Sequence, residues 1–89
     1  MSKLDVYVAK HCWSCDEARK IVADLRVQFP NVTISLLDIS PQEWPEAVFA
    51  VPTYLLNGRV ISLGNPTRQM LHNTLLTANL IGTTNGNKN

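Results

Sequence analysis

Two β-prone runs separated by a single helical period constrain this chain more than any other feature. Residues 4–9, LDVYVA, and residues 32–39, VTISLLDI, are rich in the β-branched and aromatic side chains that favour strands. Between them Cys15, Ala18, Ile21, Val22, Leu25 and Phe29 recur at spacings of three and four. Asp16, Glu17, Arg19, Lys20, Asp24 and Arg26 take most of the opposite face, so the segment reads as an amphipathic helix. Pro30-Asn31 stops it. One helix between two strands predicts a parallel, right-handed βαβ unit. Thr33 and Ser35 suggest that the second strand has a less buried face, as at a sheet edge.

The second half adds an antiparallel part. Ser40-Pro41-Gln42-Glu43 has the form of a capping box with proline at the first helical position. Pro45 lacks the donor a regular continuation needs, so a short or irregular helix through Trp44, Ala47 and Val48 is expected. Residues 53–56 and 59–63 flank Asn57-Gly58, the strongest short-range hairpin signal. Asn65-Pro66 reads as the cap and first residue of a final helix carrying Met70, Leu71, Leu75 and Ala78 and ending near Gly82. The expected order is β-α-β-α-β-β-α: an α/β fold with a four-stranded mixed sheet and helices on both faces. Residues 1–82 form one domain. Residues 83–89, TTNGNKN, read as a disordered tail.

Composition sets limits on function. With 89 residues, 45% of them hydrophobic, the chain can bury a modest single core. A formal charge of +1 from interspersed acids and bases makes no electrostatic case for nucleic acid. No apolar run approaches a membrane span, and the N-terminal run is too short and polar for a secretory signal. The expected setting is a cytoplasmic monomer. There most thiols are kept reduced, so a pair of cysteines is more readily catalytic or metal-binding than structural.

The chain has two cysteines, both in His11-Cys12-Trp13-Ser14-Cys15. A structural disulfide closing so short a loop would constrain the unfolded chain little. Cys12 falls where the first strand hands over to the first helix. Unpaired N–H groups and the macrodipole favour a thiolate there. Lys10 and His11 would add positive potential, whereas Asp16 and Glu17 oppose it. Cys15 shares the apolar stripe of Ala18, Val22 and Leu25, and should be buried. An exposed attacking thiolate beside a sheltered resolving thiol is what dithiol–disulfide exchange requires. A zinc site is the alternative. His11 and His72 are the only other soft ligands, and they lack paired spacing, so zinc would need dimerised CxxC pairs. His72 otherwise reads as a surface residue and Trp44 as a packing residue. Trp13 either offers a docking surface or folds back over the sheet.

Cys12-Trp13-Ser14-Cys15 after a strand, with Val51-Pro52-Thr53 and the hairpin YLLNGRVISLG downstream, resembles the thioredoxin/glutaredoxin superfamily. The likeness spans roughly residues 4 to 80 if element order is counted, and Leu37-Asp38-Ile39-Ser40-Pro41 resembles the family's second-strand exit. It implies a thioredoxin-like fold and a redox-active dithiol, with no other cofactor and no metal. It also implies a cis peptide before Pro52 and binding of substrate by Val51 and Pro52; Trp13, beside the thiol, is a further candidate substrate contact. The partners it implies are disulfide-containing client proteins and a reductase or dithiol electron donor. Several residues depart from the pattern. Trp-Ser stands between the cysteines, and His11 precedes them. The family's buried acid falls at Val6. Gly64-Asn65-Pro66-Thr67 lacks the acid with which glutathione-binding members meet the glutathione amine. The leading expectation is a thiol–disulfide oxidoreductase; the alternatives are a redox-sensing or peptide-binding module and a zinc-binding protein.

Overall fold

The computed structural model describes residues 2–10, 12–48 and 50–85. Its elements are β1 (Lys3–Val8), α1 (Trp13–Gln28), β2 (Thr33–Asp38), a 3-10 turn (Pro41–Glu43), β3 (Thr53–Leu56), β4 (Arg59–Leu63) and α2 (Arg68–Asn85). The four strands form one mixed sheet in the order β2-β1-β3-β4. β1 pairs parallel with β2, Leu4 beside Ile34, and antiparallel with β3, Val6 beside Tyr54. The parallel βαβ unit is therefore present, and the hairpin extends the sheet on the other side of β1.

Alternation along β1 decides where the core lies. Leu4, Val6 and Val8 point to one face and are fully buried. On that face they join Ile34 and Tyr54, the α1 stripe Cys15, Ala18, Ile21, Val22, Leu25 and Phe29, and Leu71 and Leu75 of α2. Both α-helices thus cover the same side of the sheet. Tilted packing of Phe29 against His72, with ring centroids 5.2 Å apart, ties them together. The expected helix for the opposite face is reduced to the single 3-10 turn. Pro45 has no N–H with which to bond back into a regular helix, and it drives Trp44 away from helical geometry. The Glu43 N–H bonds Ser40, and the chain then bends so that the Val48 N–H reaches the Pro45 carbonyl. Trp44 is half-buried and donates its ring N–H to the Ile39 carbonyl.

The ends of the other elements have equally local causes. Phe29 leaves helical geometry at φ −127°, ψ 70°, as a residue before proline must, and its N–H still bonds Leu25. Asn57 and Gly58 both have positive φ, 53° and 86°, which matches the twist of a two-residue hairpin. At α2 the sequence expectation is corrected. Thr67 caps the helix, its hydroxyl accepting the Met70 N–H, and Asn65 is engaged elsewhere. The helix also runs on through Asn85, past the stop expected at Gly82; an internal glycine weakens a helix without ending it. Residues 86–89 of the expected tail lie outside the described residues. Among the described residues no helix is long and apolar enough to cross a membrane.

Candidate active site

The strand-to-helix junction places the two sulfurs in different surroundings. Cys12 is the N-cap of α1, with extended backbone (φ −111°, ψ 112°), and is half-buried. Cys15 is just under one helical turn further on, faces the core and has no exposed surface. They are joined in a disulfide, with Cα atoms 5.1 Å apart. The Cys15 backbone N–H points back at the junction, 3.2 Å from Cys12 Sγ and 3.1 Å from the Cys12 carbonyl oxygen. This is one of the otherwise unpaired donors of a helix start, directed at a sulfur.

The acids expected to oppose a thiolate are each paired. Asp16 lies 3.0 Å from Arg19, which also meets Asp38 at 2.8 Å. Glu17 lies 3.3 Å from Arg68, which also meets Asp24 at 3.0 Å. Such exposed pairs add little stability. Here they place a guanidinium beside each carboxylate of the first turn and tie the start of α2 to α1.

The remaining sequence-predicted site residues fall into three groups. Trp13 is 93% exposed, so it does not fold back over the sheet. With Ser14, Asp16, Glu17, Lys20 and Asn65 it borders an open groove of about 530 Å³. Val51-Pro52 is a cis peptide. Pro52 is fully buried, while Val51 packs half-buried against the cluster that holds Cys15, as Cys12 does. Lys10 is exposed and borders a pocket with Asp38 and Glu43; His11 lies outside the described residues. Val6, where the resemblance expects a buried acid, is fully buried in the core. Asp5 points to the opposite face, where its Oδ1 is buried without a hydrogen-bond partner. Among the described residues no group of three or more His, Cys, Asp or Glu side chains is placed to hold a metal ion.

Sequence reasoning missed one connection. The Asn65 amide nitrogen donates to the Ser14 carbonyl at 2.7 Å, and its Oδ1 accepts the Tyr54 hydroxyl at 2.8 Å. One residue earlier the Gly64 N–H bonds the Pro52 carbonyl at 2.7 Å. The exit of the hairpin is thus fastened both to the cis-proline loop and to the first turn of α1. Burial raises the Tyr54 phenol well above its usual range; Glu17 adds to the shift and Arg68 opposes it. The phenol therefore stays protonated and able to donate. The only sequence signal at Asn65 was a capping preference, and the partner is 51 residues away.

No family model matches the chain. Over 73 residues it is 29% identical to the thioredoxin of Methanocaldococcus jannaschii, a match that covers 78% of this chain and 86% of that protein. It also superposes on a chain from structural work on the thiol resolving mechanism in yeast mitochondrial 1-Cys peroxiredoxin via glutathione/thioredoxin systems. That match has a TM-score of 0.63 and 21% identity, and covers 82% of this chain and 74% of the other. The protein is therefore thioredoxin-like in sequence and in fold, with a Cys12–Cys15 pair that supports a thiol redox role.

Proposed function

We propose that the protein is a thiol–disulfide oxidoreductase that reduces disulfides of client proteins or small molecules. The observation that carries this reading is the asymmetry of the pair: a half-buried Cys12 at a helix N-terminus that receives a backbone N–H, and a fully buried Cys15. The helix terminus stabilises the Cys12 thiolate, the form that attacks. In the reduced protein Cys12 Sγ attacks one sulfur of the client disulfide. A mixed disulfide forms, and the first client sulfur leaves as a thiolate that takes up a proton. The Cys15 thiol then loses its proton and attacks Cys12 Sγ. The second client thiolate leaves and is protonated in turn. Two electrons have passed to the client, and the protein holds the Cys12–Cys15 disulfide until an external dithiol donor or reductase reduces it. In this reading the exposed Trp13 and the Val51-Pro52 loop supply the client contacts. Lys10 adds positive potential near the thiolate.

Trapping tests this reading. Cys15→Ser leaves the first attack intact and removes the resolving thiol, so mixed disulfides accumulate on Cys12. Cys12→Ser leaves only a buried thiol and traps little. Comparable trapping by the two variants, or more by Cys12→Ser, would show the roles reversed or the exchange absent. Metal analysis of the reduced protein separates this reading from zinc binding.

A further inference from the structure

The Ser14–Cys15 peptide has its two ends engaged in different ways. Its N–H lies 3.2 Å from Cys12 Sγ. Its carbonyl accepts the Asn65 amide at 2.7 Å, and Asn65 accepts the Tyr54 hydroxyl at 2.8 Å. Chemistry fixes the direction of this chain. A carbonyl oxygen can only accept, so the Asn65 nitrogen must face Ser14 and Oδ1 must face Tyr54. The sequence of donors therefore runs Tyr54 O–H, Asn65 N–H, Cys15 N–H, and it ends on a sulfur. Hydrogen bonds in line polarise one another: a donor on a peptide carbonyl makes the N–H of that peptide a better donor.

We infer that Asn65 is a positioning residue for the thiol chemistry: by holding the Ser14 carbonyl it orients and polarises the Ser14–Cys15 peptide, whose N–H stabilises the Cys12 thiolate. This rests on the reading that Cys12 is the attacking sulfur. The bonds of Asn65 to Ser14 and Tyr54 involve neither sulfur, so reduction of the disulfide breaks none of them. Only a side chain with both a donor and an acceptor can occupy the middle position; aspartate lacks the donor and alanine lacks both. Asn65 is itself held in place. Gly64, at φ +90°, bonds Pro52, and Pro66 restricts the Asn65 backbone from the other side. Among the described residues the charged groups around the junction are Lys10 before Cys12, Asp16 with Arg19, Glu17 with Arg68, and Lys20 on the groove; His11, directly before Cys12 in sequence, lies outside them. Asn65→Ala and Tyr54→Phe leave all of them in place.

The test is the pH profile of iodoacetamide alkylation of Cys12 in the full chain carrying Cys15→Ser, with and without Asn65→Ala. Asn65→Ala is expected to move the midpoint to higher pH and to slow alkylation on the rising limb roughly three- to tenfold, the reach of one hydrogen bond acting through a peptide. Tyr54→Phe shifts the profile the same way by a smaller factor. In the reduced protein with both cysteines, Asn65→Ala moves the Cys15 amide proton upfield as its hydrogen bond weakens. An unchanged profile and an unchanged Cys15 amide in Asn65→Ala, even with a lower melting temperature, would overturn the inference and reduce Asn65 to a structural tie. That result would leave the oxidoreductase reading standing, because trapping by Cys15→Ser tests it separately.

Discussion

At the scale of single residues, burial separates groups that the sequence presents as equals. Cys12 and Cys15 differ by three positions, yet one is half-buried and the other has no exposed surface. That difference was legible in the sequence, because helical periodicity alone assigns Cys15 to the apolar stripe. Tyr54 was not legible as part of the site. In the sequence it is an ordinary strand aromatic, and its partner Asn65 lies eleven residues on, beyond the turn. Its burial has a measurable consequence. The folded protein holds the phenol protonated above the pH near 10 at which the unfolded chain releases it. Because the folded value is the higher one, the contribution to stability is complete below pH 10 and is lost as the pH rises toward the folded value. Stability should therefore fall from about pH 10 upward, and less steeply in Tyr54→Phe. Urea unfolding of both proteins between pH 8 and 11 checks this; parallel curves would rule it out.

Elements with local causes were read correctly, and those with competing signals were not. The hairpin follows from Asn57-Gly58, since both residues adopt the positive φ that a two-residue turn demands. The second helix failed because one proline outweighs a capping box: Pro41 starts a turn that Pro45 cannot continue. At α2 two residues on either side of Pro66 competed for the cap. Asn65 has the stronger capping preference, but tertiary bonds to Ser14 and Tyr54 hold it, and Thr67 caps instead. The two roles separate experimentally. Thr67→Ala should lower stability by about 1 kcal/mol, the usual cost of losing a cap, and leave Cys12 alkylation unchanged. Chemical denaturation with alkylation on the same variant reads both quantities. At the turn, Gly58→Ala places a Cβ on a backbone at φ +86° and should cost roughly 1 kcal/mol, even though nothing crowds the site. A neutral result in chemical denaturation would mean that the hairpin relaxes to another turn type.

Seen whole, the molecule places its dithiol at one end of a sheet that carries both helices on one side, and this arrangement bears on the electron donor. The groove beside Trp13 has three charged side chains, Asp16, Glu17 and Lys20. Asp16 and Glu17 are each paired with an arginine, so the groove offers no strong field for or against the charges of glutathione. In the glutathione-binding proteins that the sequence resembles, an acid after the hairpin meets the glutathione amine. Here that segment reads Gly64-Asn65-Pro66-Thr67, and the Asn65 side chain is already committed to Ser14 and Tyr54. The absence of the acid was legible in the sequence; the commitment of Asn65 was visible only in the fold, since it joins residues 51 apart. The expected donor is therefore a protein dithiol or a reductase of the thioredoxin-reductase type, with glutathione a poor substitute. The measurement is turnover of a model protein disulfide, first with glutathione and its reductase, then with a thioredoxin reductase, at matched concentrations. The expected result is slow turnover in the glutathione system. Efficient removal of glutathione from a glutathionylated substrate would contradict the argument. It would mean that the groove binds the tripeptide through backbone groups of the Val51-Pro52 loop, without an acidic anchor.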